Sequence, residues 1–175
     1  MNDIEMLLKQ SGDAYKWIDK LISSVPYEQW DATPDVVESN ISWQVGHLII
    51  SYYFHSVMVI KGHRSNILQK LPLKEYDKLF IDGAPIAVAG KISPADLHSQ
   101  LKFISSASLE IISSLRPEEL EEMLADTTTP HPVAKNKFEA LDWNIKHTMW
   151  HCGQIAILKR ITNNRFDFEL KRQRQ

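Results

Sequence analysis

Residues 39–60 read SNISWQVGHLIISYYFHSVMVI, 22 consecutive positions without an Asp, Glu, Lys or Arg. In a chain with 24% charged residues, about five charges would be expected over that length. The uncharged run is not featureless. Val45, Leu48, Tyr52, Ser56 and Val59 step by three and four, the seam of a helix packed in a core. At about 100° per residue, Gln44, His47, Ser51 and His55 share a second stripe roughly 80° wide. A second charge-free run lies between Lys146 and Lys159, where His147, His151 and Gln154 share a stripe. A helix with no charged face is covered on most sides. Stripes of uncharged polar residues on such helices therefore read as a polar interior site. The competing reading, ordinary solvent faces, sits badly with the scarcity of Lys and Glu there.

Working outward, the remaining periodicity is also helical. Ile4, Leu7, Ser11, Ala14, Ile18, Leu21 and Val25 make a first seam, ended by Pro26. The second helix is expected to start at a Ser42 N-cap and to stop at Lys61-Gly62, a cation followed by a C′ glycine. Ser93-Pro94 opens a third helix, with Leu97, Leu101, Ile104, Ser108, Ile111 and Leu115 on its seam. Pro117 reopens a short helical turn through Leu124. Asn136 with Glu139 resembles a capping box, and the fourth helix runs through Leu141, Ile145, Thr148, Cys152, Ile155 and Lys159 to about Ile161. No segment alternates as a strand does. The fold class is all-α, a four-helix bundle with a long connection, residues 63–92, between helices two and three, and a polar Thr/Pro loop over 125–135. No repeat or low-complexity segment divides residues 1–175, which read as a single domain.

Composition excludes several classes of function. The formal net charge is −2, which argues against nucleic acid as a partner. Arg165, Lys171, Arg172 and Arg174 make only a short solvated tail. Cys152 is the sole cysteine, so an intramolecular disulfide and cysteine-rich zinc sites are impossible. Neither a signal peptide nor a run of about 18 apolar residues is visible. A reducing cytoplasm and no membrane partner are the expectation.

His147 and His151 stand at i and i+4, one above the other on one helix face. That spacing lets two imidazoles reach one metal ion, though alone it is a weak signal. His47 would supply a third ligand, and three neutral imidazoles suit Zn²⁺, Ni²⁺ or Fe²⁺ with positions left open. His-Thr-Met-Trp-His lacks the glutamate that a zincin places after its first histidine, which removes the metalloprotease reading.

Ser42-Trp43-Gln44-Val45-Gly46-His47-Leu48 and His147-Thr148-Met149-Trp150-His151-Cys152-Gly153-Gln154 together resemble the paired motifs of the DinB-like (YfiT-like) metalloenzyme superfamily. The likeness covers nearly the whole chain. It implies a four-helix bundle holding a divalent metal, nickel or zinc foremost, on His47, His147 and His151, with iron left open by the ligand chemistry alone. It also implies thiol chemistry, since relatives include S-transferases and isomerases that use low-molecular-weight thiols. Gly153 matches a motif position where a small residue allows close helix packing. Gln154 and Gln44 are candidates to orient a ligand.

Cys152 follows a candidate ligand by one residue, turned about 100° from it, and reads as core. His55 lies too far along the axis to share the metal but can line the same cavity. His63, His98 and His131 read as surface residues, and Trp43, Trp143 and Trp150 as packing. The loop from Thr127 to Pro132 is placed to overhang the site. Trp143, Trp150, Ile157 and Ile161 lie within about 40° of one another, away from the seam. That second apolar face needs a cover, either a second copy in a homodimer or the 63–92 link.

The expected function is a divalent-metal-dependent enzyme joining a small thiol to an electrophilic small molecule. A metal-dependent hydrolase is the nearest alternative. Beyond it stand a non-catalytic metal-binding or stress-linked binding protein, and a bundle that has lost its metal.

Overall fold

The computed structural model describes residues 2–168. Among them the chain is all-helical, apart from one isolated bridge between Met123 and Asn136. The helices are α1 (Asp3–Ser23), α2 (Ile41–Tyr53), α3 (Val59–Lys61), α4 (Ser65–Leu68), α5 (Leu73–Phe80), α6 (Pro94–Ser113) and α7 (Lys137–Thr162). A π-helical turn, Phe54–Met58, joins α2 to α3 without leaving the helical path. Lys171, Arg172 and Arg174 lie outside the described residues, and Arg165 is exposed.

The helix ends follow from local chemistry. Asn2 caps α1 in a full capping box with Glu5, a signal the sequence reading passed over. α2 is capped by Asn40 rather than Ser42: the Asn40 Oδ1 accepts from the Trp43 N–H at 2.8 Å. Ser42 lies one residue inside the helix, with its Oγ buried and unpartnered. Ser93 precedes α6 as expected, but its side chain makes no capping bond. Asn136 caps α7 through the Glu139 N–H, whereas the Glu139 carboxylate accepts from Lys135 rather than from Asn136. Gly62 ends α3 at φ 75°, as a C′ glycine should.

α1 and α2 are each flanked by α6 and α7. All seven residues of the α1 seam are buried, as are Val45, Leu48, Tyr52, Ser56 and Val59. At the centre the seams turn polar. Asn144 donates to the Tyr15 hydroxyl at 2.7 Å, which also bonds Ser108 at 2.7 Å. The Tyr15 ring packs 4.3 Å from that of Tyr52. The Tyr15–Ser108–Asn144 bonds tie α1, α6 and α7 in register, because burying the Tyr15 and Ser108 hydroxyls unpaired would be costly. α2 joins them through the Tyr52 ring, whose hydroxyl is buried without a partner. His98 is not on the surface: it is buried, its Nε2 2.7 Å from the Asp19 carboxylate and its Nδ1 2.9 Å from the Tyr27 hydroxyl.

The 63–92 link carries order that periodicity did not reveal. α5 packs against α2, burying Tyr76 and Phe80. After α5 the chain runs back along α2, and three side chains donate to its carbonyls in turn. His47 Nδ1 donates to Phe80 at 3.0 Å, Trp43 Nε1 to Gly83 at 3.1 Å, and Asn40 Nδ2 to Pro85 at 2.8 Å. The close approach depends on Gly46, where a Cβ would stand 2.4 Å from three atoms of the Phe80 ring. Gly153 is the opposite case. It is exposed, and a Cβ there would meet nothing within 4 Å, so within one chain it does not mediate close helix packing.

These two glycines should therefore answer alanine differently. Gly46→Ala should destabilise the protein by about 1–3 kcal/mol through overpacking. Gly153→Ala should be neutral or stabilising by up to about 1 kcal/mol, from helix propensity alone. Denaturant midpoints of the two variants check this, and equal effects would contradict the packing described.

Candidate metal centre

His47 on α2 and His147 and His151 on α7 meet, and one donor atom from each lies within 4.8 Å of the others. The ring centroids are 4.9 Å apart for His47–His151, 5.4 Å for His47–His147 and 4.6 Å for His147–His151. A tryptophan one turn earlier stacks on two of them. Trp43 lies 5.1 Å from His47 at 16°, and Trp143 lies 6.1 Å from His147 at 9°. These indoles pack, as expected, but what they pack against is the histidine cluster.

Hydrogen bonds fix which nitrogen is bare. The His47 Nδ1–H donates to the Phe80 carbonyl, which leaves Nε2 as a lone pair. The His151 Nδ1–H donates to Oε1 of Gln44, which leaves Nε2 likewise. The Gln44 amide is oriented in turn by donating to Ser39 Oγ at 2.8 Å and to Gln154 Oε1 at 2.7 Å. Gln154 therefore acts one step further out, through Gln44. The His147 Nδ1 is buried without a partner. The Nε2 atoms of His147 and His151 stand 3.1 Å apart, matching the roughly 3 Å edge between two ligands at about 2.0–2.1 Å from one ion. Three imidazoles converging, two of them with the protonated nitrogen tied back and the other nitrogen bare, form a donor set that fits a divalent cation.

The rings are neutral. Burial, with repulsion from neighbouring imidazoles, pushes His151 down to about 3 and His147 to about 4. Burial lowers His47 as well, against the pull of the Phe80 carbonyl. Cys152 sits in the core, its thiol pushed up to about 12 by burial, and is not one of the three converging donors.

His47 and His147 open onto a cavity of about 860 Å³, which Ser51, His55, Asp77, Asp82, Thr128 and Thr129 also line. The Thr/Pro loop therefore does reach the site. So does α5, through Asp77, whose carboxyl burial raises. Asp77 lies in the 63–92 connection, where no periodicity marks it as a site residue. His131 is half-buried rather than on the surface, and its Nε2 stands 2.8 Å from His55 Nδ1. His63 is exposed, 3.1 Å from the Tyr53 hydroxyl.

The sequence profile of the DinB superfamily matches residues 13–155, a span that takes in α2, the link, α6 and the histidines of α7. The chain belongs to the DinB superfamily. No curated protein matches it. Among solved structures, a conserved protein from Enterococcus faecalis is similar in fold, with a TM-score of 0.68 at 14% identity. The alignment covers 93% of this chain and 98% of the other. In this DinB-superfamily chain no described helix is long and apolar enough to cross a membrane.

The burial of the cluster has a consequence for stability. As pH falls below about 6.5, an unfolded chain protonates these rings, whereas the folded site resists until about 4 for His147 and about 3 for His151. Stability is thus full above about 6.5 and is lost progressively as pH falls toward the folded values. The metal-free protein should melt several degrees lower at pH 5 than at pH 7, and His147→Phe should flatten that dependence. An unchanged slope in the variant would show that His147 is already charged in the folded protein.

Proposed function

We propose that this protein is a divalent-metal-dependent enzyme, a single-domain DinB-like four-helix bundle that joins a low-molecular-weight thiol to an electrophilic small molecule. The observation that carries the reading is the convergence of three neutral imidazoles, two with lone pairs fixed by hydrogen bonds, at the edge of a cavity large enough for a small substrate. His47, His147 and His151 would hold the ion, nickel or zinc by ligand type with iron third. Such an ion supplies Lewis acidity, lowering the pKa of a thiol or water that reaches it. In the transfer the thiol proton passes to solvent or to the leaving group, the sulfur forms the bond to the electrophilic carbon, and the leaving group departs with the bonding pair. The protein offers no nucleophile of its own at the cluster, since the Cys152 thiol is buried in the core. A cytoplasmic address suits a reaction that needs free thiols.

A hydrolase is the second reading, and Asp77 favours it. A carboxyl group raised by burial on the cavity wall has the character of a general base.

A homodimer completes the proposal. The 63–92 link packs on α2 and leaves the second face of α7 bare, with Trp150 60% exposed, Ile157 54% and Ile161 44%. Gly153 lies at the edge of that stripe, where a neighbouring helix could come close.

Elemental analysis of protein purified without a metal-affinity tag should find about one divalent ion per chain, and His47→Ala should lose it. A panel of cellular thiols against a model electrophile should show turnover only with metal-loaded protein. Equal rates from apo and loaded forms, alongside metal-dependent ester cleavage abolished in Asp77→Asn, would replace the transferase with the hydrolase. Light scattering should give a dimer for the native chain and a monomer for Ile157→Lys. A native monomer would leave the α7 face without this role.

A further inference from the structure

Beside the three-histidine cluster a second pair of histidines is wired to the backbone. The N–H groups of Val133 and Ala134 both point at His131 Nδ1, at 3.2 and 2.8 Å. Two donors facing one ring nitrogen require it to be the bare acceptor, so His131 carries its proton on Nε2. That Nε2–H faces His55 Nδ1 at 2.8 Å and donates to it. His55 Nδ1 is therefore an acceptor in its turn, and the His55 proton sits on Nε2. The tautomer of a buried ring is thus dictated, in two steps, by the backbone of the Thr/Pro loop.

What remains free is informative. His55 is 6% exposed and lines the cavity. Its Nε2–H has no partner among the hydrogen bonds of the described residues, yet it is not among the sealed, unpartnered atoms. The ring centroid lies 5.6 Å from that of His147, next to the metal-binding corner. Phe54 packs edge-on against His55 at 5.0 Å and parallel to His131 at 5.6 Å, holding both rings. The π-helical turn that contains His55 departs from regular helix at this point, as such turns do at functional sites. A donor held this rigidly and left open only toward a cavity is built to receive an acceptor.

We propose that His55 is a substrate-binding residue whose Nε2–H, set by His131, hydrogen-bonds an oxygen acceptor, a carbonyl or carboxylate, on the electrophile bound beside the histidine cluster. The substrate class is thereby narrowed from electrophiles in general to those bearing such an oxygen within one small-molecule length of the reacting atom. A donor without positive charge recognises the oxygen by geometry and excludes groups that are only donors, such as ammonium. His131 is a positioning residue: it never meets the substrate and acts by fixing the His55 tautomer. This inference rests on the metal-enzyme reading for the location of the reacting atom, but not for the tautomers.

Two measurements separate the two claims. Long-range ¹H–¹⁵N spectra of the full chain labelled at histidine read each tautomer directly, with or without zinc. His55 and His131 should both appear as Nε2–H forms at pH 7, and His131→Phe should release His55 into a tautomeric mixture. A His55 protonated on Nδ1 in the native chain would overturn the proposal. Acetohydroxamate, a chelating probe with a carbonyl oxygen, is then titrated into zinc-loaded protein. His55→Phe should weaken it about tenfold, the value of one hydrogen bond, with zinc content unchanged, and His55→Gln, which keeps an N–H donor, should recover part of the loss. Equal affinity for native protein and a folded His55→Phe overturns the proposal. If the native chain takes up no zinc, the metal reading fails by itself, and the His55 tautomer then decides this inference.

Discussion

Everything at the site depends on where the imidazole protons are held. His47 is tied by the Phe80 carbonyl and His151 by the Gln44 amide, and without those acceptors each ring could turn or carry its proton on the wrong nitrogen. The acceptors are themselves fixed. Phe80 ends α5 with its ring buried against α2, and Gln44 is clamped between Ser39 and Gln154. The chain of constraint therefore runs outward, from ring to acceptor to packing. This is why the motif residues around the histidines, Trp43, Gln44, Gly46 and Gln154, are determined by the site as much as the histidines are.

Gly46 shows how one missing side-chain carbon controls this. With no Cβ at position 46 the Phe80 ring lies directly on α2, and only then does the Phe80 carbonyl come within 3.0 Å of the next residue's ring. Trp43 and Asn40 repeat the arrangement one and two turns earlier, each donating to a carbonyl of the same returning segment of chain. A charged side chain at any of these positions would have to be desolvated against backbone and aromatic surface. The absence of charge from 39 to 60, visible in the sequence before any helix was placed, is the imprint of that covering.

The legible parts of the sequence were those governed by a period. The seam of α1, with Ser11 and Ala14 inside it, is buried as its three-four spacing required, and the i, i+4 pair His147 and His151 does bring two Nε2 atoms to 3.1 Å. What escaped lacked a repeat. α5 is eight residues long, too short for a seam to stand out, yet it supplies Phe80 and Asp77. His131 sits in a loop, and loops dense in Thr and Pro carry no periodic signal for burial, so its bond to His55 could come only from coordinates. His98 escapes a positional reading for a related reason: it lies near the start of α6, where exposure is the expectation, but Tyr27 and Asp19 arrive from elsewhere in the chain to cover it.

The charge around the cluster leads one step further. Its partners are a backbone carbonyl, a carboxamide and two indole faces, all uncharged, and the three imidazoles are neutral. A divalent cation held there would keep nearly its whole charge in surroundings of low dielectric, where that charge acts strongly. Cys152 cannot offset it, because burial pushes the thiol to about 12. The acidic side chains that line the cavity, Asp77 and Asp82, come from α5 and the turn after it and are exposed, so solvent screens their charge. Charge balance is then completed most readily by an anion that comes with the reactants. Under the proposed transfer a thiol that ionises on arrival meets that requirement, as hydroxide formed from bound water would under the hydrolase reading.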